Sequence, residues 1–150
     1  MKVAVANDHG ATCLKGELLK LLESLGVEVI DFGTNETNSV DYPDYALKVA
    51  ECVAQGKADR GILMCGTGIG ISIAANKVKG IRCAHCSDSF SAKATREHND
   101  ANVIAFGGRI IGAEIMKDIV TAFIKTPFSG DKRHVQRIDK ITEIENKYFK

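Results

Sequence analysis

The residues best placed for chemistry stand in Leu63–Ser72, where the chain reads LMCGTGIGIS. An apolar run ends at Cys65, and Gly66, Gly68 and Gly70 follow within five positions. Glycine loses much backbone entropy on folding and adds no side chain to a core. Three of them beside a thiol therefore ask for a ligand. A loop that opens a helix presents backbone N–H groups where positive partial charge collects, and it favours anions. The same charge favours a thiolate over a thiol. A base beside a row of donors suits enolate chemistry: the base takes a proton next to a carbonyl, and the amides hold the charge that grows on oxygen. Two plainer alternatives stay open. The glycines would merely allow a tight strand-to-helix turn, and Cys65 would be a buried structural thiol. The spacing is not the dinucleotide fingerprint, and no Lys-Ser/Thr pair follows as a phosphate loop of the Walker type requires.

Other polar groups flank this centre. Asp8 and His9 follow the first apolar run, and His98 and Asn99 close a helical stretch. In DKRHVQRIDK, Arg133 and Arg137 are four apart and share a helix face, with His134 beside them. Two arginines on one face suit a phosphate, which they grip with forked hydrogen bonds. The alternative is a solvated basic face paired with Asp131 or Glu143. CAHC, Cys83–Cys86, mimics half of a zinc site, but in a strand these two cysteines point to opposite faces, and no second pair has ligand spacing. No metal is expected.

The elements that must position these groups alternate. KVAVA, VEVIDFG, RGILMC, IRCAHC and NVIAFGG read as strands. Between them LKGELLKLLESLG is amphipathic and stops at Gly26, and YPDYALKVAECVAQGKAD carries Pro43 in its first turn and has Gly56 as its stop. GISIAANKV, SDSFSAKATREHN (capped by Ser87 or Asp88) and GAEIMKDIVTAFIKT complete the alternation. Such a pattern gives βαβ units. The expected fold is α/β, a single doubly wound Rossmann-like domain over residues 1–150, with a five-stranded parallel sheet and helices on both faces. A last helix, about 134–147, has no strand after it and either caps the sheet or reaches a second subunit. Ligands of such sheets bind beyond the carboxyl ends of the strands. Asp8, His9, Cys65, the glycine loop and Arg109 fall there. His98 and Asn99 fall at the opposite rim, unless their helix is short and folds back.

Composition narrows the rest. Net charge is +1, which offers no general attraction to nucleic acid or acidic membranes. No run is long enough to span a bilayer, and MKVAVANDHG does not read as a signal peptide. Five cysteines without a stapling pattern suit a reducing cytosol, so a cytoplasmic setting is expected.

NDHG, CGTGIGISIAANK, CSDSFSAKATREHNDANVIAFGGR and RHVQRI, in this order and spacing, resemble the sugar-phosphate isomerase family of type B ribose-5-phosphate isomerase and galactose-6-phosphate isomerase. The likeness covers nearly the whole chain. It implies ribose 5-phosphate to ribulose 5-phosphate isomerisation by ring opening and a cis-enediolate. The alternatives are a six-carbon aldose 6-phosphate such as allose or galactose 6-phosphate or, from another class, a nucleotide- or flavin-binding module. It also implies no cofactor, and dimers or tetramers of dimers with sites shared between subunits. Residue by residue, Cys65 resembles the base that moves the proton between C2 and C1. One branch of the family uses a loop glutamate instead, but Ile71 stands at that position here. Gly66, Thr67, Gly68, Ile69 and Gly70 resemble the enediolate-binding loop, with the Thr67 hydroxyl assisting. His98 resembles the acid–base group of ring opening, with Asp8 across the same site, and the family places His98 in the crevice. Asn99 resembles a hydroxyl-binding residue. His9, Arg109, Arg133, His134 and Arg137 resemble the groups that hold substrate and phosphate. His85 has no matching role, and strand packing is its expected task.

Overall fold

The computed structural model describes residues 1–149. Strand β1 (Lys2–Asn7) leads through a 3-10 turn at His9–Ala11 to α1 (Thr12–Ser24) and β2 (Glu28–Asp31). Helix α2 (Tyr42–Ala54) then returns to β3 (Arg60–Cys65) on the other side of β1. The chain continues through α3 (Ile69–Ala75), β4 (Cys83–His85), α4 (Ser89–Asn99), β5 (Val103–Gly107) and α5 (Ala113–Lys125) to α6 (Lys132–Tyr148). The order β2-β1-β3-β5-β4 is parallel throughout. Direction reverses between β1 and β3, which opens a crevice beyond their carboxyl ends.

Alternation along each strand divides the core in two. Val3, Val5, Ile62, Met64, Ile104 and Phe106 pack with α1, α4 and α5, whereas Ala4, Ala6, Leu63, Cys65, Val103 and Ala105 face α2 and α3. Fully buried side chains such as Phe106 and Phe123 each contribute roughly 1.5–3 kcal/mol by leaving water. Small residues on the second face let α2 come close: a methyl group at Gly61 would lie 2.6 Å from Val49 Cγ1.

Several boundaries differ from the sequence reading: α1 begins at Thr12, β2 spans only Glu28–Asp31, and α3 runs Ile69–Ala75 and stops short of Val78. β4 is shorter than IRCAHC: at its start the Arg82 N–H donates to the Asn102 side chain at 2.8 Å instead of to a strand carbonyl. Helix α6 begins two residues before His134, at Lys132. The stops at Gly26 and Gly56 have φ of 68° and 70°, the left-handed region glycine tolerates. Cys83 packs towards the α2–α3 face and Cys86 lies in the opposite cluster. Burial pushes both thiols up, Cys86 to about 11.

Candidate active site

At the end of β1 the Asn7 side chain donates to the carbonyls of Asp8 and Thr34, fixing where the chain turns. Asp8 is 4% exposed, and its Oδ1 accepts the Gly10 N–H at 2.8 Å. The Val40 N–H donates to His9 Nδ1 at 3.1 Å, so Nδ1 is an acceptor and neutral His9 offers its Nε2–H to a ligand. A Cβ at Gly10 would sit 2.8 Å from the Gly66 nitrogen, which brings the turn after β1 onto the loop after β3.

That loop centres on Cys65, 5% exposed, whose Sγ accepts the Gly68 N–H at 3.1 Å. The Ile69 N–H turns to Thr67 Oγ1 at 3.3 Å. Two of the loop amides are therefore used locally, and those of Gly66, Thr67, Gly70 and Ile71 donate to no protein group among the described residues. The loop is tied to the end of β5, because Gly108 N–H donates to the Cys65 carbonyl at 2.8 Å and Arg109 N–H to the Gly66 carbonyl at 3.0 Å. The Arg109 guanidinium lies over Gly66, with Nη1 3.1 Å from where a Cβ would be. Asp8, His9, Cys65, Gly66–Gly70 and Arg109 thus share one crevice. A thiol base, free amides and a guanidinium can move a proton beside a carbonyl while holding an oxyanion.

His98, Asn99, Arg133, His134 and Arg137 form a second group elsewhere. α4 starts at the crevice end of the sheet and runs 11 residues, about 16 Å, back to the opposite rim. There the Asn99 carbonyl accepts from Arg82 Nε at 3.0 Å. The rings of His98 and His134 meet with centroids 4.5 Å apart and planes tilted by 36°, and Ser129 Oγ lies 2.8 Å from His134 Nδ1. Within one chain His98 therefore stands where topology alone put it, not in the crevice the family resemblance implied. Burial, then the neighbouring His98 and Arg133, hold His134 below the usual imidazole range, against the opposing pull of Asp131. Arg133 and Arg137 are exposed and have no ion-pair partner among the described residues, since Asp131 turns to His134 at 3.9 Å.

Sequence reasoning missed Tyr42. Its ring covers Gly70, where a Cβ would lie 2.6 Å from Cζ and 2.9 Å from the hydroxyl oxygen. No local pattern announces that contact, which depends on α2 packing against α3. His85 does more than pack in its strand, since its Nε2 meets the Thr67 carbonyl at 2.9 Å. Among the described residues no cluster of three or more His, Cys, Asp or Glu is placed to hold a metal, and no helix is long and apolar enough to cross a membrane.

The family model described as Ribose/Galactose Isomerase matches residues 3–141. Ribose-5-phosphate isomerase B of Escherichia coli is 51% identical over 97% of each chain. The structure of Clostridium thermocellum ribose-5-phosphate isomerase B superposes with a TM-score of 0.95 at 55% identity, covering 99% of both chains. The Mycoplasma genitalium ribose-5-phosphate isomerase B structure, with bound ribulose 5-phosphate, gives 0.92 at 38% identity over 97% of this chain and 96% of that one.

Proposed function

The chain belongs to the ribose/galactose isomerase family and interconverts ribose 5-phosphate and ribulose 5-phosphate, and we propose that it does so with two half-sites drawn from two copies of itself. One observation carries the two-copy reading: the base and the oxyanion donors lie in the crevice, while His98 and the arginine pair lie at the opposite rim of the same chain. Helix α6 supports it. His134 is its one buried residue among those described, and Val135, Ile141, Ile144 and Tyr148 are exposed. A two-fold dimer sets the rim of one copy against the crevice of the other.

In this site the second copy's Arg133 and Arg137, with His134, grip the phosphate, and Arg109 and His9 hold the substrate from the crevice side. Closed ribose 5-phosphate hides its carbonyl. His98 of the second copy opens the ring by moving a proton between the O1 hydroxyl and the ring oxygen, across from Asp8, while Asn99 binds a sugar hydroxyl. The Cys65 thiolate then takes the C2 proton. Charge moves to O1, where the loop amides and the Thr67 hydroxyl stabilise the enediolate. A proton then passes from the O2 hydroxyl to O1, and the Cys65 thiol returns its proton to C1 as the C2 carbonyl forms, which leaves the ketose. All five cysteines are free thiols, which suits the proposed cytoplasmic setting.

A panel of ribose, allose and galactose phosphates, assayed for ketose formation, tests the substrate assignment. Ribose 5-phosphate should give the highest kcat/KM. A higher value for a six-carbon phosphate would move the chain to the galactose side of its family.

A further inference from the structure

His85 ends β4 with no part in the steps above. Its Nε2 lies 2.9 Å from the Thr67 carbonyl oxygen. A carbonyl oxygen only accepts, so Nε2 carries a proton and donates it. The peptide group with that carbonyl also holds the Gly68 N–H, which points at Cys65 Sγ from 3.1 Å. One peptide is therefore held at both ends, by an imidazole at its oxygen and by the sulfur at its nitrogen. Packing prevents it from swinging away. Gly68 has φ of 80°, and a Cβ there would meet the Phe106 backbone at 2.6 Å and the His85 ring at 2.9 Å.

We propose that His85 is a positioning residue that acts on Cys65 through the Thr67–Gly68 peptide, holding its N–H on the sulfur and strengthening it as a donor to the thiolate. A hydrogen bond accepted by a peptide oxygen draws electron density from its nitrogen, and the N–H becomes a better donor. A thiolate accepts that bond far better than a neutral thiol, so the held peptide steadies the sulfur whenever it carries charge. Other groups reach the sulfur's surroundings by separate routes: Arg109 over Gly66, Asp8 behind Gly10, and Tyr42 at Gly70. They are untouched by a change at position 85. The inference rests on Cys65 being the base.

The test compares His85→Leu, which removes the donor, with His85→Gln, whose amide N–H has similar reach. His85→Asn, too short to reach the carbonyl, repeats the loss with a polar side chain should the leucine variant fold poorly. Three quantities are read: kcat and KM for ribose 5-phosphate, the melting temperature, and the rate at which iodoacetamide alkylates Cys65. Alkylation is followed on the Cys65 peptide by mass spectrometry, because Cys13 is exposed and reacts too. His85→Leu and His85→Asn should lower kcat about three- to tenfold, the scale of one lost hydrogen bond, with KM unchanged. Cys65 alkylation should slow by a similar factor, and His85→Gln should restore both. A loop that is only loosened would expose the buried sulfur and speed its alkylation. Faster or unchanged alkylation, or no rescue by glutamine, would overturn the proposal. Cys65→Ala is assayed alongside: if it stays active, the base assignment fails, whereas Cys65 alkylation in the position-85 variants still reports on the peptide link.

Discussion

Alanine at Gly68 should be far more damaging than alanine at Gly26, and the geometry sets the difference. Both positions have positive φ, 80° and 68°. An L-residue in that region costs roughly 1–2 kcal/mol. At Gly26 nothing lies within 4 Å of the added methyl, so that is its whole penalty. At Gly68 the methyl would lie 2.6 Å from the Phe106 carbonyl carbon and 2.7 Å from its Cα. Carbon atoms rest about 3.5–4.0 Å apart, so the end of β5 or the loop must move by about 1 Å. Forcing extra volume into packed structure costs roughly 1–3 kcal/mol more. In a domain of this size 1 kcal/mol is about 2–4 °C of melting temperature. Gly26→Ala should therefore melt about 2–8 °C below the parent, and Gly68→Ala a further ~2–12 °C lower. Activity should separate them more sharply. Moving the loop takes the Gly68 N–H off Cys65 and misaligns the oxyanion donors, and one such donor is worth about a hundredfold in kcat. Gly26 follows α1 at the far edge of the sheet, and its variant should keep the parental kcat. The assay is thermal denaturation at one protein concentration together with turnover of ribose 5-phosphate. If Gly68→Ala melts with Gly26→Ala and keeps its kcat, the loop is not held as described.

Cys65→Ala should lower turnover about a hundredfold or more while a substrate-like inhibitor still binds; near-normal turnover would remove Cys65 from the mechanism. Erythrose 4-phosphate has its O4 blocked by phosphate and cannot close to a furanose, so His98→Asn should harm the ribose 5-phosphate reaction far more than turnover of the four-carbon aldose. Equal losses on both would end the ring-opening role. His134 is held below its unfolded value, so the folded chain resists a proton that the unfolded chain accepts. Stability should fall as pH drops below about 6.5 towards the folded value, and it should fall less in His134→Gln. Identical melting profiles from pH 7.5 to 5, scanned across about that reference value, would contradict this.

The parts of the site legible in the sequence are those set by local rules. The glycine loop could be placed because alternating strand and helix patterns fix β3 before it and α3 after it. Asp88, one of two expected caps, accepts the Ser91 N–H at 2.7 Å. Even the rim position of His98 follows from topology, since a helix joining two parallel strands must return to the end where the next strand starts. What stayed hidden depends on non-local contact. His85 meets Thr67 across 18 residues, and Tyr42 meets Gly70 only because two helices pack side by side. Neither leaves a periodic trace. The start of β4 is hidden as well, because the side chain of Asn102 takes the Arg82 amide, a competition that hydrophobic pattern does not reveal. Nor does sequence show which loop amides are taken locally, as Cys65 Sγ takes that of Gly68 and Thr67 Oγ1 that of Ile69.

The sharing of sites between two copies is tested most directly by mixing two inactive variants, Cys65→Ala and Arg137→Ala. Cys65 lies in the crevice and Arg137 at the rim. Losing the Arg137 contact should cost roughly 2–5 kcal/mol of substrate binding, enough to silence that variant at low substrate. In a hybrid dimer one site joins both defects, and the other joins an intact crevice to an intact rim. Random exchange should therefore restore about a quarter of the parental activity, with the hybrid counted by native mass spectrometry. Hybrids that form in that proportion and stay inactive would show that each chain builds its site alone.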